Sequence, residues 1–410
     1  MAKVRKDTKG RVLHKGEDYH KGKGLYRYSY TDPLKNRRCI YAKDLPELRE
    51  KIKQLQKDQL DGLDTYVLGN ADIDFAFDRY MTIKTELRSS TKSNYLYTYN
   101  RYVRNGFGKR KITDVRYSDV VLFYGDLSSK GLSLNTIDTV HSVLFPTFQL
   151  AVRDNIIRNN PAEGAMAEIK KKWKAGVNVR HALSVNEEQA FFKALDEPEN
   201  TRWKSLFTVM FGTGCRIGEI IGLRWEDVDF ENGVIIINHD ITYCMRPEKG
   251  NKCEYEVSLP KTKAGIRKIP MLEKVRKSLE EERRIQDKYG NSCIMEIDGM
   301  TGFIFTNRFG RIFNQGGINK VIKRIVSDYN AREELNARRA KREPVFIPKF
   351  SCHIARHTFC SRLCENETNI KVIQSVMGHK DIQTTLDIYA EISEQKMQDV
   401  FNQLNNKDVI

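Results

Sequence analysis

Nowhere in the 410 residues does Gly-Lys precede a serine or threonine, so there is no phosphate-cradling P-loop. No paired-acid cluster resembles a two-metal nuclease site. The eight cysteines (39, 215, 244, 253, 293, 352, 360 and 364) form no Cys-x-x-Cys pair. Their one suggestive grouping, Cys352, His353, His357, Cys360 and Cys364, wraps too far around one helix for four zinc ligands to converge. Reduced, mostly buried cysteines are expected, with no metal and no cofactor. No apolar run approaches the ~20 residues that a membrane-spanning helix needs. The opening Met-Ala-Lys-Val-Arg-Lys-Asp-Thr-Lys-Gly lacks the apolar stretch of a signal peptide, so a cytoplasmic protein without a membrane partner is expected. No internal repeat is visible.

Positive charge is what the chain has in excess. Seventy Lys and Arg against 54 Asp and Glu leave a net +16, which points to a polyanionic partner, nucleic acid ahead of a membrane surface. The length suggests two or three domains. Residues 1–43 alone hold 13 Lys/Arg and 4 Asp/Glu, a net +9. Within them Leu25–Tyr30 alternates aromatic and polar residues and Arg37–Ala42 reads as a second strand, with a turn at 31–36. Half of those tyrosines are expected to pack on a helix running from Leu45 to about Gln59, capped by Asp44. Its apolar stripe is Leu45, Leu48, Ile52 and Leu55.

Residues 66–165 read as helical. Ser90 opens one helix that carries Tyr95, Tyr97, Tyr99 and Tyr102; Asp114–Leu127 and Leu134–Arg153 are two more, the last kinked by Pro146. A basic, aperiodic linker at 166–182 follows. From Leu183 the pattern changes. Helices are expected at Val185–Leu195, Trp203–Phe211, Leu272–Tyr289 and Gln315–Asn330, and strands at Gly233–Asn238, Tyr255–Leu259 and Ile266–Pro270. The candidate DNA contacts are Arg27, Arg37 and Arg38 on the strands, Lys92 and Arg101 in the helical region, and Lys171, Lys172 and Arg180 in the linker.

The chemistry concentrates in two places. Gly214-Cys-Arg-Ile-Gly-Glu219 puts Arg216 at a helix start, where a guanidinium adds to the positive end of the helix dipole and Glu219 braces it. Far downstream, Ser351–Phe359 reads as a helix with His353 and Arg356 three apart. Beyond it a Gly-His pair, Gly378 and His379, stands ten residues before Tyr389. Two arginines can neutralise a phosphate, two histidines can donate protons or hydrogen bonds, and a tyrosine hydroxyl can attack. A free phenol has a pKa of about 10, so Tyr389 needs such cationic neighbours. Lys261 or Lys263, on the turn after Tyr255–Leu259, could protonate the leaving 5′ oxygen. Rejoining DNA with neither nucleotide nor metal requires that the bond energy stay in a covalent intermediate, as in a phosphotyrosine.

Thr213–Trp225 and His353–Tyr389 resemble the two signature boxes of the tyrosine site-specific recombinases, the phage integrase family, and most closely the integrases of conjugative transposons. The resemblance implies a multidomain fold: a small α+β N-terminal domain (1–65) that binds arm sites, an all-α core-site-binding domain (66–165), the linker (166–182), and a mainly-α catalytic domain with a small antiparallel sheet (183–410). It implies that Arg216, His353, Arg356 and His379 activate the scissile phosphate, that Tyr389 is the nucleophile, and that Lys261 is the catalytic lysine. It also implies duplex DNA as partner, a homo-oligomeric, tetrameric synapse, and an excisionase-type directionality factor. Ala355 departs from the usual leucine and Glu391 from a histidine, and neither position carries chemistry. Residues 331–344 look like an insertion whose basic residues touch the DNA backbone. Two other readings share parts of this pattern: a type IB topoisomerase and an inactive DNA-binding protein.

Overall fold

The structure, a computed structural model, describes residues 5–7, 9–31, 37–60, 71–172, 181–246, 250, 252–260, 265–290, 292–379 and 381–390. It divides into two units, residues 1–177 and 178–410.

The first unit begins with an antiparallel sheet of β1 (Glu17–His20), β2 (Leu25–Thr31) and β3 (Arg37–Ala42), in that order. Strand β1, a short polar segment, escapes a reading by hydrophobic alternation. The register sets Tyr26 opposite Tyr19 and Ala42, and Tyr28 opposite Glu17 and Ile40. Cross-strand partners share a face, so Tyr26, Tyr28 and Tyr30 all project to the side where helix α1 (Leu45–Leu60) packs Leu45, Leu48 and Ile52 onto Tyr26 and Ala42. Of the four tyrosines on β2 and β3, Tyr26 and Tyr28 pack with the apolar residues of α1, as expected of half of them, while Tyr30 stands outside that cluster and Tyr41 is on the other face. Arg27, Arg37 and Tyr41 take the opposite face, whereas Arg38, opposite Tyr30, lies on the helix side. The Asp44 carboxylate accepts from Glu47 N at 2.9 Å, as a helix cap should.

A separate core follows, built from α2 (Ile73–Ile83), α3 (Ser89–Tyr102), α4 (Tyr117–Ser129), α5 (Leu134–Arg153) and α6 (Ala165–Lys172). The Phe77 and Tyr99 rings stack 3.7 Å apart, and the fully buried Tyr99 hydroxyl donates to Asp74 at 2.7 Å. The tyrosine stripe therefore divides, with Tyr99 in the core and Tyr97 half exposed. Helix α3 starts one residue earlier than expected, with Arg88 at the N-cap and no side-chain cap bond. Helix α4 starts later, because Ile112–Asp114 forms its own 3-10 turn. Pro146 sits inside α5 and does not end it.

The linker assignment fails at its start. Residues 166–172 belong to α6, whose Ala165, Met166 and Ile169 are buried in the same core as α4 and α5. The lysines of Ile169–Lys174 hide the three apolar positions at helical spacing. Ile169→Ala should therefore cost about 2–4 kcal/mol in urea unfolding, as truncation of a buried aliphatic does. A change within about 0.5 kcal/mol, normal for an exposed position, would restore the linker reading.

The second unit packs α7 (Val185–Leu195), α8 (Lys204–Thr213), α9 (Ile217–Gly222), α10 (Glu273–Tyr289) and α11 (Gln315–Ala340) around one core, centred on Phe191, Phe207, Phe303 and Ile322. There are two small sheets where one was expected. One orders β4 (Val228–Asp229), β5 (Val234–Ile237) and β8 (Arg267–Pro270); the other pairs β6 (Asp240–Arg246) with β7 (Lys252–Ser258). The missed strand β6 closes onto α9 through glycine: a Cβ at Gly218 would stand 2.9 Å from the Ile241 carbonyl oxygen.

Helix α11 runs on through residues 331–340, past the expected end at Asn330. Arg332 reaches Glu199 at 3.2 Å, and both arms of Arg342 bind Glu333, holding that carboxyl down at about 2. The chain ends its described part with α12 (Cys352–Asn366), α13 (Ile370–Met377) and a last helix, α14, residues 382–390. None of the described helices is long and apolar enough to cross a membrane.

Candidate active site

Helix α8 ends at Gly214, which adopts the left-handed φ of +61° that favours glycine. A Cβ there would also sit 2.3 Å from the Phe359 ring of α12, so the turn presses directly on that helix. Two residues on, Arg216 is the N-cap of α9, its side chain 43 % exposed. Helix α12 is clamped to the start of the unit: Leu183 N donates to Thr358 Oγ1 at 3.0 Å and Arg362 donates to the Leu183 carbonyl at 2.8 Å. Its Ala355 is fully buried against the main core, where a small side chain suffices.

Three successive carbonyls at the C-terminal end of α13 then gather the site. The Val376 oxygen accepts from Arg267 Nε at 2.8 Å, the Met377 oxygen from Arg356 Nη2 at 2.6 Å, and the Gly378 oxygen from Arg216 Nη2 at 2.9 Å. A helix C-terminus leaves such carbonyls unpaired and carries partial negative charge, so guanidinium groups are apt partners. Gly378 has φ +62°, and a Cβ on it would lie 3.0 Å from Arg267 Nη1. Both facts explain why a glycine precedes His379.

The groups differ in charge state. Burial first, then the neighbouring Arg216, pulls the Arg356 guanidinium down to about 10, which leaves it charged at neutral pH. Its Nη1 donates to the Gly214 carbonyl at 2.7 Å, joining the two boxes. Burial pushes the Glu219 carboxyl up, but the Arg267 fork and then Arg216 outweigh it and keep the group ionised. For His379, burial and then Arg356, Arg216, Arg267 and His353 all act the same way and push the imidazole down to about 4. It is neutral, with Nδ1 3.0 Å from Thr385 Oγ1 on α14. Three guanidiniums against one carboxylate leave a net of two positive charges, suited to a phosphate.

Tyr389 lies one helical turn beyond Thr385 on α14, so the two share a face. It packs with Phe359 and Leu363 against Cys360, Cys364, Ile373, Met377 and Ile388. His353 is exposed and close enough to depress His379. The structure thus brings together Arg216, His353, Arg356 and His379 and seats Tyr389 beside them; Lys261 and Lys263 lie outside the described residues. Cys352, Cys360 and Cys364 are buried thiols outside any disulfide.

The candidate DNA contacts are less coherent. Arg27 is tied to Asp18 at 2.7 Å. Arg37, Lys92, Arg101 and Lys171 are exposed. Lys92 and Arg101 stand nine positions apart, half a turn around α3, so one helix face cannot present both. Arg180 and the side chain of Lys172 lie outside the described residues.

Arg267 is the residue that sequence reasoning missed. The signal was there: it shares strand parity with the buried Ile269, so it points inward.

The Phage integrase family pattern matches residues 181–396, and that of the DNA binding domain of tn916 integrase matches residues 1–59. The chain belongs to the phage integrase family and is a tyrosine site-specific recombinase carrying a Tn916-type DNA-binding domain. It is 28 % identical over 407 residues to the transposase from transposon Tn1545 of Streptococcus pneumoniae and to that from transposon Tn916 of Enterococcus faecalis, covering 95 % of this chain and 94 % of each relative. Among solved structures it is similar to the Tn1549 transposon integrase in complex with circular intermediate DNA: 25 % identity, TM-score 0.68, covering 80 % of this chain and 99 % of that one. The same integrase with transposon right end DNA gives 26 % identity and a TM-score of 0.67.

The neutral histidine has a testable consequence. Between about pH 4 and the ordinary histidine value of 6.5 the unfolded chain binds a proton at this position that the folded chain refuses, so the His379 contribution makes stability fall as pH drops through that window. NMR titration of the His379 ring should show it still neutral at about pH 5.5. A midpoint near the ordinary value would mean that the arginine cluster does not surround it.

Proposed function

We propose that this recombinase cuts one strand of duplex DNA with the Tyr389 hydroxyl, holds the broken end as a 3′-phosphotyrosine, and rejoins it to a partner strand through a Holliday junction. The single observation that carries the reading is the convergence of Arg216 and Arg356 on the carbonyls of residues 377 and 378, immediately before His379. Their remaining N–H groups are suited to the non-bridging oxygens of the scissile phosphate. In the tautomer in which Nδ1 accepts the Thr385 hydroxyl proton, the neutral His379 carries its own proton on Nε2, ready to donate to phosphate. His353, exposed at the same place, completes the donor set. As its phenolic proton is lost to solvent, Tyr389 attacks the phosphorus; the bond to the 5′ oxygen breaks, and Lys261 protonates that leaving oxygen.

The natural substrates are the ends and circular intermediate of a mobile element, the kinds of DNA bound in the Tn1549 integrase complexes. We assign arm-site binding to residues 1–65, core-site binding to the helical domain through residue 172, and catalysis to residues 183–410. The enzyme works as a homo-oligomer, a tetramer in the synapse, in the cytoplasm where that DNA lies, with a directionality factor favouring excision.

Tyr389→Phe should bind core-site DNA normally and form no covalent adduct on a nicked duplex, because only the hydroxyl is lost. Arg216→Ala and Arg356→Ala should also bind yet cleave about 10²–10³-fold more slowly, the effect of removing one preorganised donor. Adducts formed by Tyr389→Phe would move the nucleophile elsewhere.

Removing residues 1–65 should spare core-site cleavage and abolish a second DNA-binding activity, whose affinity falls steeply with salt through counterion release. Loss of core-site binding on that deletion would refute the division of labour.

A further inference from the structure

Arg267 is only 7 % exposed and spends its donors inside the protein. Nη1 and Nη2 fork onto Glu219 Oε1 and Oε2 at 3.0 and 2.8 Å, while Nε donates to the Val376 carbonyl at 2.8 Å and Nη2 rests 3.8 Å from Cys215 Sγ. Glu219 gives the same two oxygens to Arg216: Oε1 to its Nη1 at 2.9 Å and Oε2 to its backbone N–H at 2.8 Å. A carboxylate has about four acceptor sites, so two arginines saturate it.

The direction of Arg216 is therefore set by a carboxylate whose own direction is set by Arg267. The same guanidinium holds the Val376 carbonyl, the first of the three that lead into His379. Gly378 lies against its side, so close that a Cβ there would stand 3.0 Å from Nη1 and press on the guanidinium. Arg267 is also the first residue of β8, six positions after Lys261 in the sequence.

We propose that Arg267 is a positioning residue for the cleavage step: without touching DNA, it fixes the aim of Arg216 and the place of the turn that presents His379. This rests on the reading of Arg216, His379 and Tyr389 as the chemical groups. Its planar fork plus a third donor on another edge is what the role requires. A lysine offers a single point charge on a flexible stem and cannot reproduce that geometry. If Arg267 is lost, Glu219 keeps Arg216 as its main counterion, and the guanidinium turns inward, away from the phosphate.

The test is single-turnover adduct formation by the full-length protein on a nicked core-site duplex, with DNA affinity and thermal melting measured on the same preparations. Arg267→Met should cleave at least about 100-fold more slowly, the scale of effect of a small misplacement of reacting groups, with affinity unchanged. Arg267→Lys should remain close to the methionine variant although it keeps the charge. Because a lone buried Glu219 can itself unfold the domain, the paired variant Arg267→Met/Glu219→Gln removes both charges. It should melt like the native protein and cleave about as slowly as Arg267→Met, since both changes act through Arg216.

Native cleavage by a folded Arg267→Met or by the paired variant would overturn the proposal. So would full recovery in Arg267→Lys, which would reduce the role to charge, or a fall in affinity that matches the fall in rate, which would make Arg267 a DNA contact. Normal cleavage by Arg216→Ala and adduct formation by Tyr389→Phe would sink the underlying site reading, whatever Arg267 does.

Discussion

The catalytic unit is organised by the end of one short helix. Helix α13 finishes with three consecutive carbonyls that each accept from a guanidinium on a different element: β8, α12 and the start of α9. Arg216, Arg267 and Arg356 stand 51 and 89 residues apart in sequence, and hydrophobic packing alone would not set their relative positions to within a hydrogen bond. The carbonyls do. Glycine at 378 is what makes the arrangement possible, since it turns the chain into the left-handed region and leaves room for Arg267 against its face. His379 follows with its backbone N–H on the Gln374 carbonyl and its ring on Thr385, which carries the same constraint on to α14 and Tyr389.

Electrostatics follow from that geometry. Bringing three arginines to one place would be costly in a dry interior, and it is tolerated because backbone dipoles and a single saturated carboxylate offset it. Burial, reinforced by the net positive charge that remains, keeps His379 neutral, so it serves as a hydrogen-bonding group instead of a competing cation. A phosphate entering the site would complete the balance. Site assembly and substrate charge are in this sense parts of one account of charge, in which the protein is left two units short.

Much of this was legible in the residues. Arg216 with Glu219 and His353 with Arg356 stand in local segments whose helical spacing can be read directly; the Gly-His pair ahead of Tyr389 was legible as residue types in order, while helices α13 and α14 on either side of it were not. Helices α5 and α7 matched to the residue. What escaped were features decided by partners far away in sequence. Arg267 looks like one more basic residue until its parity with Ile269 is noticed. Helix α6 hides three buried residues among lysines, and β6 (Asp240–Arg246) lies in a mixed-polarity stretch between the expected strands at 233–238 and 255–259. Arg38 was grouped with Arg37 because both are basic, although adjacent strand positions face opposite ways.

The most direct measurement is the chemical identity of the covalent complex. Full-length protein would be trapped on a core-site duplex nicked just 3′ of the scissile phosphate, digested with protease, and the nucleotide-bearing peptide sequenced by mass spectrometry. The expected result is one modified residue, Tyr389, joined to a 3′-phosphate, with the 5′ end free as a hydroxyl. A nucleotide on any other side chain, or a 5′-phosphate linkage, would contradict the assembly of Arg216, Arg356, His379 and Tyr389 as one site.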